Sequence, residues 1–354
     1  MTTYSAVVTT GIYCRPGCGA RPLARNVRTF ELAAAAEAVG YRACRRCRPY
    51  RVAGPVGGGA PELVCQAVQM IIYGALDDGG TEAALARRIG LSPRHLNRLF
   101  LHHLGATPDQ LARSRRAHFA RRLLDDTDLT VVDIAFASGF GSLRQFNRTM
   151  REVFRASPTD LRRRRHRADR LVADGGLALR LPVVPGYDWD AVRALLAAHA
   201  VPGVEAVDGD TYRRTIIVDG APGLLEVSPG GDGYLLLRAH LPYWEGLIHV
   251  VGRVGLLLGT ETGQGIAGPG AWDPFESEVR AIVGQERDSG AVRRRLGKIV
   301  TDLGTPVPGL PAGLTHTFPK AEAMTPARLA VSGISAADAG AVAALSAAIA
   351  GDGR

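Results

Sequence analysis

GIYCRPGCGARPLARNVRTFELAAAAEAVGYRACRRCRP, residues Gly11–Pro49, sets four cysteines in two close pairs: Cys14 and Cys18 with three residues between them, Cys44 and Cys47 with two. Each pair can supply two sulfurs to one ion at about 2.3 Å, and the segment between them brings the second pair round to close a tetrahedron. Four of the chain's five cysteines fall in this window. The N-terminus carries no apolar leader, so a cytoplasmic, nucleoid-associated location with reduced thiols is expected. The pattern therefore predicts one zinc ion held by Cys14, Cys18, Cys44 and Cys47 rather than two disulfides.

With 354 residues the chain is long enough for two or three domains, and 46% hydrophobic content without any apolar run near ~20 residues predicts no membrane span. Charge is unevenly placed. Residues 1–170 hold 28 basic against 14 acidic residues, and all 28 are arginine, whereas residues 171–354 hold 15 basic against 20 acidic. A nucleic-acid surface is expected in the front half, where guanidinium groups suit phosphate and guanine.

Eight arginines surround the cysteines (Arg15, Arg21, Arg25, Arg28, Arg42, Arg45, Arg46 and Arg48), which predicts a phosphate-tracking face. A helix is expected over Thr29–Val39, and AGPVGGGA, Ala53–Ala60, reads as a linker. From Pro61 to about Leu161 the pattern is helical. Glu62–Leu76 shows an apolar stripe at Leu63, Ala67, Met70, Ile71 and Gly74 with Cys65 as a core thiol beside it. Thr81–Ile89, a Gly90-Leu91-Ser92 turn and Pro93–His103 then follow in helix-turn-helix order. Leu96, Leu99 and Phe100 should be buried, leaving Arg94, His95 and Arg98 toward the major groove. After a basic linking helix, Asp109–Leu124, the unit repeats: Val131–Ala137, a turn at Ser138–Gly141, and Ser142–Phe154, which offers Arg144, Gln145 and Arg148. The run Arg162–Arg165 with Arg167 is expected to fray into solvent. Beyond Leu171, Asp/Gly/Pro turns separate antiparallel strands at Thr211–Val218, Gly223–Val227 and Tyr234–His240, with a helix over Asp190–Ala200.

The residues around the cysteines, Thr10-Gly-Ile-Tyr-Cys14-Arg-Pro-Gly-Cys18 and Gly40-Tyr-Arg-Ala-Cys44-Arg-Arg-Cys47-Arg-Pro49, resemble the N-terminal zinc domain of the Ada family of DNA alkylation-response proteins. That resemblance implies that Cys14 takes a methyl group from a DNA methylphosphotriester, and that Thr10, Arg21, Arg42, Arg45 and Arg46 contact the DNA backbone. A zinc-held cysteine is a thiolate, the nucleophilic form, and the thioether product makes the reaction single-turnover. Methylation changes the formal charge of a zinc ion with four thiolates from −2 to −1 and should convert a weak DNA binder into a tighter one.

The duplicated helix-turn-helix, with Ile134-Ala-Phe-Ala-Ser-Gly-Phe140 and Ser157-Pro158, looks like an AraC-type DNA-binding domain. Arg155 stands where that family usually has glycine. Residues 178–285 and Gly313–Pro319 resemble an AlkA-type 3-methyladenine DNA glycosylase, through Tyr187-Asp-Trp189, Pro202-Gly-Val-Glu205, Tyr212-Arg-Arg-Thr215 and AWDPFESEVRAIVGQ, residues 271–285. Its helix-hairpin-helix and catalytic aspartate are not met before Arg354, and the stretch between Leu247 and Gly270 looks shortened by a helix. No base excision is expected from the tail, and Asp188, Asp190 and Asp273 are read as turn or capping residues. No cysteine follows Cys65, which excludes O6-alkylguanine repair by this chain.

The expected architecture is multidomain α+β. A zinc domain spans 1–52, an all-α double helix-turn-helix domain 61–166, an AlkA-like α+β domain 172–242 and a truncated helical segment 243–354. The expected function is methyl sensing on DNA and activation of repair genes, with zinc as cofactor and double-stranded DNA and RNA polymerase as partners. Two alternatives remain: a 3-methyladenine glycosylase carrying DNA-targeting modules, and a plain zinc-stabilised transcription factor.

Overall fold

β-Branched and aromatic residues on either side of the first cysteine pair build a small sheet. β1 (Tyr4–Val7), β2 (Ile12–Cys14), β3 (Val27–Phe30) and β4 (Arg42–Ala43) lie in the order β3-β1-β2-β4, with α1 (Ala33–Ala38) against them. The structure, a computed structural model, describes residues 3–53, 60–77, 79–172, 176–261, 270–284 and 289–352. All but the end residues of the expected Ala53–Ala60 linker, and Gln285, lie outside that set. The helix expected over Thr29–Val39 is shorter than its pattern suggested. Thr29 and Phe30 pair with Ser5 and Tyr4 in β3, because β-branched and aromatic residues fit a pleated edge, and only the alanine run turns helical.

α2 (Glu62–Ile72), α3 (Glu82–Arg88), α4 (Pro93–Leu104), α5 (Pro108–Asp126), α6 (Val131–Ala137), α7 (Leu143–Phe154) and α8 (Pro158–Arg163) follow. Hydroxyl residues start six of these seven: the side chains of Thr81, Ser92, Thr107, Thr130, Ser142 and Ser157 each accept an N–H of the first turn. The stripe on α2 is out of phase with expectation. Its buried face is Val64, Ala67, Val68, Ile71 and Ile72, Leu63 is 41% exposed, and Cys65 is only half-buried. Gly74, at φ +93°, follows the helix end at Ile72. Leu99 is likewise half-buried rather than core.

The linking helix α5 is an axle, not a basic surface. Ala117, Phe119, Ala120, Leu123 and Leu124 are buried in the core, and Arg116 and Arg121 are buried with them. Arg116 Nε donates to Asp77 Oδ1 at 2.7 Å, and Arg121 donates to Asp125 at 2.5 Å. Helical periodicity over 19 residues places arginines on every face, and the buried Arg116 and Arg121 take intramolecular partners.

β5 (Leu177–Pro182), α9 (Trp189–His199), β6 (Glu205–Asp208), β7 (Thr211–Val218), β8 (Ala221–Gly231) and β9 (Tyr234–His240) come next, the strands forming an antiparallel sheet in the order β5-β9-β8-β7-β6. β8 outruns its expected Gly223–Val227, and β6 was not foreseen. α10 (Leu247–Leu258) occupies the stretch read as shortened, and α11 (Pro274–Val283), α12 (Ser289–Leu303), α13 (Pro326–Val331) and α14 (Ala336–Asp352) complete the described chain. Asp188 and Asp273 are caps, accepting Ala191 N at 3.0 Å and Glu276 N at 2.8 Å. One apolar cluster runs from Tyr13 and Tyr50 through α5, α6 and α7 to Leu237 and Leu247, so the first sheet, the helices and the second sheet share a core.

Below the second sheet, Glu205, Arg214, Glu276 and Arg280 form a buried ionic quartet, with Arg214 reaching Glu276 at 2.8 Å and Glu205 at 3.3 Å, and Arg280 reaching Glu205 at 2.6 Å. Tyr212 donates to Glu205 at 2.6 Å, and Arg214 stacks over Trp272. Burial alone would push Glu276 up, but the guanidinium groups of Arg214 and Arg280 outweigh it and hold its carboxyl below the usual range. Removing one partner strands a buried charge. Arg214→Met should lower unfolding free energy by about 3–5 kcal/mol, read from denaturant melts. A loss under about 1 kcal/mol would show the quartet to be dispensable. A depressed carboxyl stabilises above the ordinary glutamate pKa, near 4.3. This contribution should fade as pH falls below that value toward the depressed folded one.

Candidate metal centre and DNA-facing surface

The two cysteine pairs meet because β2 and β4 run parallel, with Tyr13 opposite Ala43, so that the next residues, Cys14 and Cys44, lie side by side. Cys44 N donates to Tyr13 O at 2.9 Å and locks that register. A turn in which Cys18 N meets Arg15 O, with Gly17 at φ +73°, folds Cys18 back over Cys14. All four Sγ atoms lie within 4.8 Å of one another. Tetrahedral zinc with bonds of about 2.3 Å has sulfurs about 3.8 Å apart, so the cluster fits that ion. None of the five cysteines is disulfide-bonded.

The four sulfurs differ. Cys47 Sγ accepts Arg15 N–H at 3.4 Å. Burial pushes the Cys44 thiol up, but the N–H groups of Cys47 and Arg46 outweigh it and leave it lowered. Burial, opposed by Arg15 N–H, raises Cys47 to about 12. Cys14 is the most enclosed, 6% exposed, and among the described residues no backbone N–H points at its sulfur. Burial, then repulsion from Cys44 and Cys47, raises its thiol well above the ordinary range. A bound cation suits this set, since it would offset the repulsion among crowded sulfur charges.

Thr10, Arg21, Arg45 and Arg46 are exposed and Arg42 is half-buried. Burial first, and then repulsion from Arg164, Arg42 and Arg121, lowers Arg45, which places it beside α8. The basic face of the first sheet thus continues onto the end of the helical region. Arg155 adopts left-handed φ +53° and donates to Gly40 O at 3.4 Å, so this departure from glycine ties α7 to the first sheet. On the two recognition helices Arg94, Arg98, Arg144, Gln145 and Arg148 are exposed and His95 is half-buried. Arg98 lies 3.1 Å from His95 Nδ1, and Arg148 donates to Glu152 at 2.9 Å.

Arg48, counted with the basic face, and the neighbouring Arg51 serve other ends. Arg48 pairs with Asp169 at 2.7 Å, and Arg51 with Asp126 at 3.1 Å, where Arg180 joins at 2.7 Å. Nor does the Arg162–Arg165 run simply fray: Arg162 donates to Leu129 O and Arg165 to Thr127 O, satisfying carbonyls beyond the end of α5. The sequence also hid the contact between the metal centre and α5. Tyr13, next to Cys14, donates to Glu37 Oε1 at 2.6 Å, and His118 Nε2 lies 2.7 Å from that oxygen. No local signal marks a pair so far apart in sequence.

Family models match in three places: the metal binding domain of Ada over residues 2–50, a helix-turn-helix domain over 85–164, and the AlkA N-terminal domain over 178–266. A probable bifunctional transcriptional activator/DNA repair enzyme AlkA of Mycobacterium tuberculosis is 37% identical over 356 residues, spanning 92% of this chain and 71% of that protein. The bifunctional transcriptional activator/DNA repair enzyme Ada of Escherichia coli is 31% identical over 149 residues, 41% of each. Among solved structures, a 3-methyladenine DNA-glycosylase from Archaeoglobus fulgidus superposes with TM-score 0.39 at 19% identity, over 47% of this chain and 66% of that one. Among the described residues no helix is long and apolar enough to cross a membrane.

Proposed function

This chain belongs to the family of bifunctional transcriptional activator/DNA repair enzymes, and from that premise we propose that it is a methyl sensor: Cys14 accepts a methyl group from DNA methylphosphotriesters, and the methylated protein activates repair genes. The observation carrying the reading is the unequal sulfur cluster. Cys44 and Cys47 are stabilised by backbone N–H groups, Cys18 is half-buried, and Cys14 is buried with no backbone N–H at its sulfur among the described residues. The least stabilised thiolate is the strongest nucleophile. Zinc held by the four cysteines would keep them as thiolates at neutral pH.

In the transfer the Cys14 sulfur lone pair forms the S–CH3 bond while the methyl C–O bond breaks, and its electron pair leaves on the phosphodiester oxygen. No proton moves, so no acid or base is needed. The exposed arginines Arg21, Arg45 and Arg46 hold the backbone, and loss of one negative charge at the cluster reduces repulsion against neighbouring phosphates. Arg94, Arg98, Arg144, Gln145 and Arg148 then read the promoter, and RNA polymerase is recruited in the cytoplasm. Intact mass and peptide mapping after exposure to methylated DNA test the reading, the expected result being one methyl on Cys14.

Arg45→Ala should weaken binding to any duplex and reduce the slope of log affinity against log salt by about one, whereas Arg94→Ala should cost about 1–3 kcal/mol on the preferred sequence alone. Anisotropy titrations across salt concentrations separate the two. The AlkA N-terminal match supports a second reading, glycosylase action by residues 178–352. Asp188 and Asp273 are engaged as helix caps, and no abasic sites are expected when the protein meets alkylated DNA. Their appearance would establish the second activity.

A further inference from the structure

A cavity of about 510 Å³ lies where the first sheet, the helical region and α10 converge, away from the cysteine cluster. Most of its wall is apolar, with Leu181, Ile248, Val251 and Leu256 among the lining residues. Arg115 and Arg122 also line it, seven residues apart on one face of α5 and about 10 Å apart along the axis. Among the described residues neither guanidinium has an ion-pair or hydrogen-bond partner. Arg122 lies over the Phe119 ring with its Nε fully enclosed.

The neighbouring carboxylates are engaged elsewhere. Asp77 binds Arg116 and His249, and Asp126 binds Arg51 and Arg180. His118 in the same wall is held by Glu37. Glu261 faces the cavity and Glu31 sits at its exposed rim, neither in ion-pair contact with either arginine. Burial lowers Arg115 against the pull of Glu261 and Asp77, and lowers Arg122 to about 10 against that of Asp126 and Glu261, although both side chains keep some contact with water. Such charges are costly to hold unless something meets them.

We infer that this cavity binds a small organic anion, its carboxylate or phosphate head between Arg115 and Arg122 and its apolar body against Leu181, Ile248, Val251 and Leu256. A volume of this size suits a compact ligand. Because residues from three parts of the chain line the site, an occupant would brace the zinc-bearing sheet against the helical region and α10. Such an anion would act as an effector distinct from DNA.

The zinc-loaded full chain would be melted with phenyl phosphate, benzoate, inorganic phosphate and phenol. A saturable rise in Tm is expected with one or both aromatic anions, none with phenol, and a smaller rise with inorganic phosphate. The stronger of the two aromatic anions identifies the preferred head. Arg122→Met should raise the Tm of the ligand-free protein by removing an uncompensated charge, and both Arg122→Met and Arg115→Met should weaken anion binding tenfold or more. The inference is overturned if neither aromatic anion gives a saturable shift or if the shift persists unchanged in Arg115→Met. A lower ligand-free Tm in Arg122→Met would equally overturn it, by making that arginine a structural tie.

Discussion

Cys14→Ser should abolish methyl uptake from methylphosphotriester DNA altogether. A serine hydroxyl keeps the size of the side chain but is almost wholly protonated at neutral pH, and its oxygen is a poorer nucleophile than a thiolate. Peptide mapping should find methyl on Cys14 in the parent protein and on no residue of the variant. Cys65→Ser is the matched control. Its thiol sits apart from the cluster and donates to Ala60 O at 3.5 Å, so uptake should be unchanged. Methyl found on Cys18, Cys44 or Cys47 of the Cys14→Ser protein would show that the sulfurs are interchangeable and would remove the basis for singling out Cys14.

DNA affinity supplies a linked readout. One unit charge beside one phosphate is worth about 1 kcal/mol in water and about 4 at an effective dielectric near 20, both at 4 Å. Methylated parent protein should bind duplex more tightly than unmethylated protein, and Cys14→Ser should show no gain after the same exposure.

Metal removal should have the largest effect on stability. Structural zinc sites contribute about 10–16 kcal/mol of apparent binding free energy near neutral pH, which for a sheet of four short strands is most of what holds it. Stripping the ion with a chelator should unfold residues 3–53, seen as rapid amide exchange in β1 to β4. The damage should reach further, because Tyr13 and Tyr50 sit in the same apolar cluster as α5 and the Tyr13–Glu37–His118 contact depends on the sheet. Protons compete with the ion for sulfur, so release should become easier as pH falls. Unchanged exchange in a sample shown to be metal-free would make the cysteine cluster ornamental to the fold.

The quartet at Glu205, Arg214, Glu276 and Arg280 joins motifs that are apart in the sequence of the tail. Tyr212, Arg214, Thr215, Trp272 and Glu276 come from separate motifs, yet they gather in one buried region around those charges. Removing any one of these charges would leave its partner buried and unpaired, which ties the separate motifs to one another.

Local rules were legible in the chain. The cysteine spacings specify the ligand set because two close pairs suffice to close a tetrahedron, and hydroxyl caps with apolar periodicity specify the helix starts because both act within one turn. Even there periodicity does not settle the phase of α2, since Leu63 and Val64 differ only in which one the rest of the protein covers. Which arginine stays on the surface and which meets an aspartate was decided by tertiary structure. Arg116, Arg121, Arg48 and Arg51 are the same side chain as Arg45 and Arg94, but carboxylates more than 35 residues away reach three of the first four, while Arg121 takes Asp125 one turn along α5. Apart from a partner one helical turn away, as Asp125 is for Arg121, a guanidinium carries no local mark of its partner, and packing brings the distant carboxylate within reach.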